Sequence, residues 1–335
     1  MKYKLLILIC IVTTAISCNK NPYIKDVDSI KVDFTIKPFY KDILKSSEKY
    51  SKQQQAELRA KYGSFYESFN ARIFKLGVST DTGYQKRLFD LLHEDWILEL
   101  YKTTNKTFAD TTKMYEKLHN AFQYYKYYFP KKQIPNMCSF IGGVQYSIVI
   151  DSGMVAIGLD KYLGRDYPMY ADMQISTFIK RNMYAEKIPT DVMRAIAESE
   201  FPNALTEEYL LSKMIQQGRY MYFVKCMFPE ESDTLIWGYT GKQLEFCKKS
   251  ESEFWKYFVS TDNMLFSGDY MLIKRFVDDG PFTPVFTKES PGKIGQWLGF
   301  KIVESFMKNN PDVSLEELFS IQSSQEIMRR AKYNP

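Results

Sequence analysis

Three short apolar runs near the middle of the chain limit the folds that it can adopt. The runs are Met137–Ile141, Tyr146–Ile150 and Val155–Leu159, and they are separated by Gly142-Gly143 and by Asp151-Ser152-Gly153. Apolar runs of this length between turn residues are typical of β-strands. Helical periodicity precedes and follows them, without alternating βαβ units. The pattern therefore predicts a predominantly helical α+β domain with one small, mainly antiparallel sheet.

Long segments on either side of these runs carry apolar residues at helical spacing. Before the runs, a strand is predicted over Ile30–Phe39 and helices over Ser46–Leu76, Tyr84–Tyr101 and Asp110–Phe129. After the runs, helices are predicted over Pro189–Phe201, Glu207–Phe223, Thr240–Tyr257, Tyr270–Phe276, Pro291–Lys308 and Leu315–Phe319.

Three glycines fall within the segment that begins at Pro291. Gly292, Gly295 and Gly299 do not have the G-x-G-x-x-G spacing of a dinucleotide-binding loop, and no βαβ unit surrounds them. We interpret them as positions where a helix approaches a neighbouring backbone closely.

The N-terminus resembles a bacterial lipoprotein signal. Two lysines precede an apolar segment, Leu5–Ile16, which is too short to span a membrane as a helix. Small residues then precede Cys18, and in signals of this kind the cysteine receives the lipid and becomes the first mature residue. This predicts a signal peptide at residues 1–17, a tether at 18–29 and a single domain at 30–330. The lipid on Cys18 would anchor the protein in the cell envelope. In the lipoproteins that this signal resembles, an acidic run just after the cysteine is the usual signal for export to the cell surface. No such run follows Cys18, which favours a periplasm-facing position.

Charge and cysteine usage exclude some classes of protein. The formal net charge of +5 falls to +3 when the two lysines of the signal peptide are removed, so no nucleic-acid partner is expected. Besides Cys10 in the signal peptide and the lipid-bearing Cys18, three cysteines remain, Cys138, Cys226 and Cys247, and an odd number gives no disulfide framework. Buried free thiols are expected, with one bridge between Cys226 and Cys247 as the alternative.

The helix predicted over Pro189–Phe201 contains the one segment that suggests catalysis. Its last five residues, Ala197–Phe201, have the frame of the zinc-protease motif H-E-x-x-H. In that motif two histidines one turn apart bind zinc, and the glutamate activates a water molecule. Only the glutamate, Glu198, is present here. Arg194 lies four residues earlier, so a surface ion pair on the helix explains the same residues.

Other catalytic groups are sparse. The two histidines, His93 and His119, cannot form a three-imidazole site, and no metal or other cofactor is expected. A carboxylate pair of the glycosidase kind would have to combine Glu198 with a second acid. The candidates are Glu200, Asp160, Asp166 and Asp172.

Five segments in the second half of the chain carry a family resemblance. They are VAIGLDKYLGRDYPMY (155–170), MIQQGRYMYF (214–223), IWGYTGKQLEFCKKSESEFWKYF (236–258), MLFSGDYMLIKRFVDDGPF (264–282) and SPGKIGQWLGFKIVESFMKNNPDVSLEELF (290–319). These segments resemble the gliding-motility-associated lipoprotein family (GldB-type) of Bacteroidetes, over residues 20–322. The resemblance implies an envelope lipoprotein that is linked to the surface-gliding apparatus.

The same family distantly resembles the zincin metalloproteases. In that scaffold an edge strand, which would be Val155–Leu159 here, precedes the H-E-x-x-H helix, and a later helix provides the third zinc ligand. The resemblance places Ala197 and Phe201 at the two histidine positions and Gln217 at the third ligand position. All three positions are non-coordinating. The resemblance therefore implies a zincin-like domain without metal-dependent hydrolysis.

Two hypotheses for the function follow. The favoured one is a non-catalytic lipoprotein, held to the membrane through Cys18, which binds a peptide or a protein of the envelope or gliding machinery. An extended segment of that partner could pair with the edge strand. The alternative is an envelope hydrolase, protease-like or with a carboxylate pair, that uses Glu198.

Overall fold

A tight turn at Ser152 and Gly153 closes the hairpin of the small sheet. The computed structural model describes residues 21–47 and 51–335, so Cys18 and the predicted signal peptide lie outside the described residues. Both turn residues have a positive φ, 45° at Ser152 and 82° at Gly153, as a two-residue type I′ turn requires. The turn joins β3 (Ile148–Asp151) to β4 (Met154–Gly158) as an antiparallel pair.

The complete sheet has four strands and is mixed. β1 (Ile36–Lys37) pairs in parallel with β2 (Asn136–Phe140), and β2 pairs in parallel with β4, which gives the order β1-β2-β4-β3. The prediction of a mainly antiparallel sheet is therefore wrong, because two of the three strand pairs are parallel. After β2, residues 141–147 cross a gap one strand wide before β3 begins. β4 then fills this gap and lies between β2 and β3.

The edge strand also differs from the expectation. The segment expected at the edge, Val155–Leu159, corresponds to β4, which is fully buried and has a neighbouring strand on each side. β3 lies at the edge instead, and its four residues are half-buried. At the other edge, the strand predicted over Ile30–Phe39 is reduced to the two residues of β1.

Helices dominate the remaining described residues. Those before β2 are α1 (Phe39–Ser47), α2 (Lys52–Tyr62), α3 (Ser64–Ser68), α4 (Tyr84–Leu92), α5 (Asp95–Thr107) and α6 (Thr112–Tyr128), with a π-helical turn at Phe69–Ile73. Those after β4 are α7 (Pro168–Asp172), α8 (Thr177–Lys180), α9 (Ile188–Glu200), α10 (Leu210–Met227), α11 (Asp233–Trp237), α12 (Gly241–Lys249), α13 (Glu251–Ser260), α14 (Tyr270–Val277), α15 (Ile294–Asn309), α16 (Leu315–Ser320) and α17 (Ser324–Ala331). None of the helices in residues 21–47 and 51–335 has both the length and the hydropathy that crossing a membrane requires.

The predicted helices are confirmed as helical segments, but three of them contain a break. The breaks lie at Gly63, at His93-Glu94 and at Ser250. Gly63 has a φ of 58°, which a continuous right-handed helix cannot contain, so α2 ends there and α3 begins. The predominantly helical α+β class is confirmed.

The central helix of the fold is α10. Most of its side chains are buried, and it packs against α6, α9, α14 and α15. A helix that is apolar nearly all round is expected to lie inside a protein. The buried apolar side chains of the described residues form one hydrophobic cluster around it.

From residue 21 onward, the segment predicted as a tether packs against the helices. Tyr23 and Val27 are buried. The Asn21 side-chain amide donates to the Pro229 carbonyl at 2.9 Å, and the Tyr23 hydroxyl donates to the Glu304 carboxylate at 2.7 Å. The described part of this segment is therefore fixed to the domain.

Candidate functional site

Two of the three residues that the zincin resemblance places at ligand positions are part of the apolar core. Ala197 lies on α9, which packs against β3, β4 and α10, and Phe201 directly follows the last residue of that helix. The Ala197 side chain is buried, and the Phe201 ring stacks on Phe319 with ring centroids 4.3 Å apart. The Phe129 ring lies 5.0 Å from the same Phe201 ring. These side chains stabilise the contact between helices and present no metal-binding atom.

Glu198 lies on the exposed side of the same helix. Its carboxylate accepts a hydrogen bond from Arg194 Nε at 2.9 Å, one helical turn earlier. The ion pair predicted from the spacing is thus confirmed. Both side chains are partly exposed, so the pair contributes about 0.3–0.5 kcal/mol to stability.

The third position, Gln217, is joined to the same arginine. Arg194 Nη2 donates to Gln217 Oε1 at 2.7 Å, and the guanidinium also lies 3.4 Å from Gln296 Oε1 on α15. The structure therefore brings Glu198 and Gln217 together through a cation. The guanidinium of Arg194 links the three helices α9, α10 and α15.

The other candidate carboxylates do not join Glu198. Glu200 accepts a hydrogen bond from the Tyr125 hydroxyl at 2.6 Å and forms an ion pair with Lys132 at 2.9 Å. Asp160 is fully buried and accepts backbone hydrogen bonds from Gly142 at 3.1 Å and from Val144 at 2.6 Å. Burial raises the pKa of the Asp160 carboxyl to about 6. Its role is to hold the loop that follows β2.

The two remaining acids and the histidines lie elsewhere. Asp166 and Asp172 are exposed, in the segment between β4 and α9. His93 ends α4, with its Nδ1 2.8 Å from the Phe89 carbonyl oxygen, and His119 lies within α6. Among residues 21–47 and 51–335, no three His, Cys, Asp or Glu side chains lie close enough to hold a metal ion.

Sequence reasoning missed two lysines near Arg194, of which Lys187 is buried and Lys293 is half-buried. Lys187, just before α9, lies 3.5 Å from Asp191, and Lys293, just before α15, lies 3.0 Å from Asp279. Burial lowers the pKa of both ammonium groups, and the nearby Arg194 charge lowers them further. The spacing of Lys187 and Asp191 by four residues was a visible signal for one pair. The other pair depends on the tertiary structure.

Comparison with known proteins adds a family assignment to this geometry. The family described as "Gliding motility protein GldB" matches residues 20–335. Neither the curated proteins nor the solved structures contain a match to the chain.

Proposed function

The chain belongs to the family of the gliding motility protein GldB, and we propose that it acts as a non-catalytic envelope lipoprotein that binds an extended segment of a partner protein along β3. In this proposal Cys18 carries the lipid, and the partner is a protein of the envelope or gliding machinery, in a bacterium of the Bacteroidetes. The observation that carries the proposal is the open edge of the sheet at β3.

The geometry of the turn between β3 and β4 determines which backbone groups of β3 are free to pair with another strand. In a two-residue hairpin the residues next to the turn form a hydrogen-bonded pair, here Asp151 with Met154, and the pairs then alternate. The hydrogen bond from Gly158 N to Ser147 O, at 2.7 Å, agrees with this alternation. The N–H and C=O groups of Ile148 and Ile150 therefore point away from β4.

The edge has the properties of a strand that accepts another strand. Within the described ranges, no hydrogen bond from another segment reaches the outward groups of Ile148 and Ile150. Three of its four residues are β-branched and apolar, and it carries no lysine or proline, the residues that commonly block edge pairing. Strand addition would use these backbone groups for affinity and the half-buried side chains for specificity.

The packing of α9 supports a role without hydrolysis. Ala197 and Phe201 are buried among apolar side chains, and the Glu198 carboxylate is paired with Arg194. A glutamate that activates water needs a metal or another acid beside it. The described neighbours of Glu198 provide a guanidinium instead. In this proposal the domain is a zincin-like scaffold whose catalytic positions have been replaced.

Replacing Ile150 by proline tests the edge directly. The substitution removes an outward N–H group and leaves the hydrogen bonds to β4 in place, whereas Ile150→Ala shortens the side chain and keeps the N–H group. We expect cells with Ile150→Pro to lose surface spreading and to lose specific envelope proteins from a proximity-labelling profile. Cells with Ile150→Ala should retain both, at equal protein level in the membrane fraction. Normal spreading and an unchanged profile with Ile150→Pro would contradict the proposal.

The alternative function is an envelope hydrolase that uses Glu198, whose carboxylate is partly exposed. Glu198→Gln, together with measurement of the zinc content of the purified protein, separates the two functions. The binding role predicts normal spreading for this variant and no stoichiometric zinc. Loss of spreading with normal protein levels, or tightly bound zinc, would favour the hydrolase.

A further inference from the structure

A cleft of about 1130 Å³ opens where the N-terminal segment meets the end of α15. Its apolar lining comes from Tyr128 on α6, Tyr222 on α10, and Met307, Val313 and Leu315 around the end of α15 and the start of α16. The first described residues and residues 332–335 form other parts of the wall. Tyrosine rings beside aliphatic side chains accept ligands that have both polar and apolar parts.

The two acidic side chains that line the cleft are bound within the fold. Glu304 accepts a hydrogen bond from the Tyr23 hydroxyl at 2.7 Å and is paired with Lys301. Glu251 accepts a hydrogen bond from the Tyr333 hydroxyl at 2.9 Å. Their charges are therefore partly satisfied by groups of the protein itself.

Three lysines of the cleft are not paired in this way. Lys25, Lys308 and Lys332 line it, and their ammonium groups form no hydrogen bond or ion pair with any residue that the structure describes. Three unpaired ammonium groups beside an apolar surface favour a ligand with a negatively charged head and an apolar remainder. Tyr127, which is 44% exposed, lies beside them, and tyrosine is enriched where proteins meet the membrane surface.

The position of the cleft depends on the anchor of the proposed function. Cys18 lies three residues before Asn21, and three residues span at most about 11 Å. Asn21 and Tyr23 are fixed to the domain by hydrogen bonds, and Tyr23 lines the cleft. An acylated Cys18 therefore holds the cleft within a short distance of the bilayer surface.

We propose that this cleft binds the phosphate headgroup of an anionic phospholipid in the membrane that carries the anchor. The three lysines contact the phosphate, and the tyrosine and aliphatic lining contacts the adjoining part of the lipid. Asp26, Asp28 and Glu230 line a second pocket next to this cleft, and Lys25 lines both. An anionic bilayer attracts the lysines of the cleft and repels these three acids, so the binding also orients the domain on the membrane.

Lysine footprinting of the mature acylated protein tests this site. The protein is reconstituted into vesicles of phosphatidylcholine alone or with roughly one third phosphatidylglycerol. Acetylation of each lysine is then followed by mass spectrometry. We expect Lys25, Lys308 and Lys332 to react about fivefold more slowly with phosphatidylglycerol present, because each lysine near an anionic surface contributes about that factor to binding. The exposed Lys106 and Lys242 should react equally in both vesicles.

A charge reversal and a phosphate control complete the test. Lys308→Glu should remove the protection of Lys25 and Lys332, whereas the matched variant Lys106→Glu should leave it unchanged. Equal protection by inorganic phosphate on phosphatidylcholine vesicles would show a phosphate site and overturn the lipid assignment. Protein that floats with vesicles but shows no protection would overturn this inference alone. Protein that does not float would overturn the anchor and this inference with it.

Discussion

Gly218 and Gly299 face each other where α10 and α15 cross. A Cβ atom on Gly218 would lie 2.2 Å from the Gly299 carbonyl carbon, and one on Gly299 would lie 1.8 Å from the Met214 carbonyl oxygen. Both distances are far shorter than a van der Waals contact. The two backbones therefore touch, and the interpretation of Gly299 as a position of close helix packing is confirmed.

Alanine at either glycine should destabilise the fold strongly. Gly218→Ala or Gly299→Ala forces backbone atoms of the two helices apart, and we expect the free energy of unfolding to fall by about 2–3 kcal/mol or more. Gly241→Ala is the matched control, because no atom lies within 4 Å of a Cβ at that position, at the start of α12. Urea denaturation measures all three variants. Equal stability of Gly218→Ala and Gly241→Ala would contradict the crossing.

Arg194 should matter more for stability than its partner Glu198. Arg194→Met leaves the buried Gln296 side-chain oxygen without a donor and removes the bond to Gln217, so we expect a loss of about 1–3 kcal/mol. Glu198→Gln removes only a partly exposed ion pair, which should change stability by less than about 0.5 kcal/mol. Thermal unfolding of the two variants checks the order, and a larger loss in Glu198→Gln would reverse it.

Asp160 should make stability depend on pH between about 4 and 6. Burial raises the pKa of its carboxyl from 3.8 to about 6 in the folded protein, so the folded state holds the proton more tightly. The resulting stabilisation is complete below pH 3.8 and is lost as the pH rises through about 6. The stability advantage over Asp160→Asn should therefore be larger at pH 4 than at pH 7, by up to about 3 kcal/mol. Asp166→Asn, at an exposed position, should show no such change.

The number of free thiols in the protein can be measured chemically. Cys138, Cys226 and Cys247 are free and buried, and burial raises the pKa of the last two thiols to about 12. The native protein should react with a thiol reagent slowly, and the unreduced, denatured mature protein should titrate three thiols. A fourth thiol would show that Cys18 is not acylated, and a single thiol would show a disulfide. Cys18→Ser should also remove the protein from the membrane fraction.

Local sequence patterns located most elements because helices and hairpins depend on neighbouring residues. The spacing of apolar residues predicted α6, α9, α10, α14 and α15, and the Asp-Ser-Gly run marked the turn between β3 and β4. The position of β4 between β2 and β3 was not predictable in this way. Strand order depends on where the loop after β2 leads the chain. Here that loop is held by Asp160, which lies outside the loop and accepts backbone hydrogen bonds from Gly142 and Val144.

The sequence by itself determined the helical character, the Arg194–Glu198 pair and the absence of imidazoles at residues 197, 201 and 217, since these depend on residue identity and short-range spacing. Only the tertiary structure decided that Arg194 joins Gln217 and Gln296, that β3 forms the edge of the sheet, and that three lysines from both ends of the chain line one cleft. Contacts between residues far apart in the chain form only when several helices pack at once, and no local pattern encodes them.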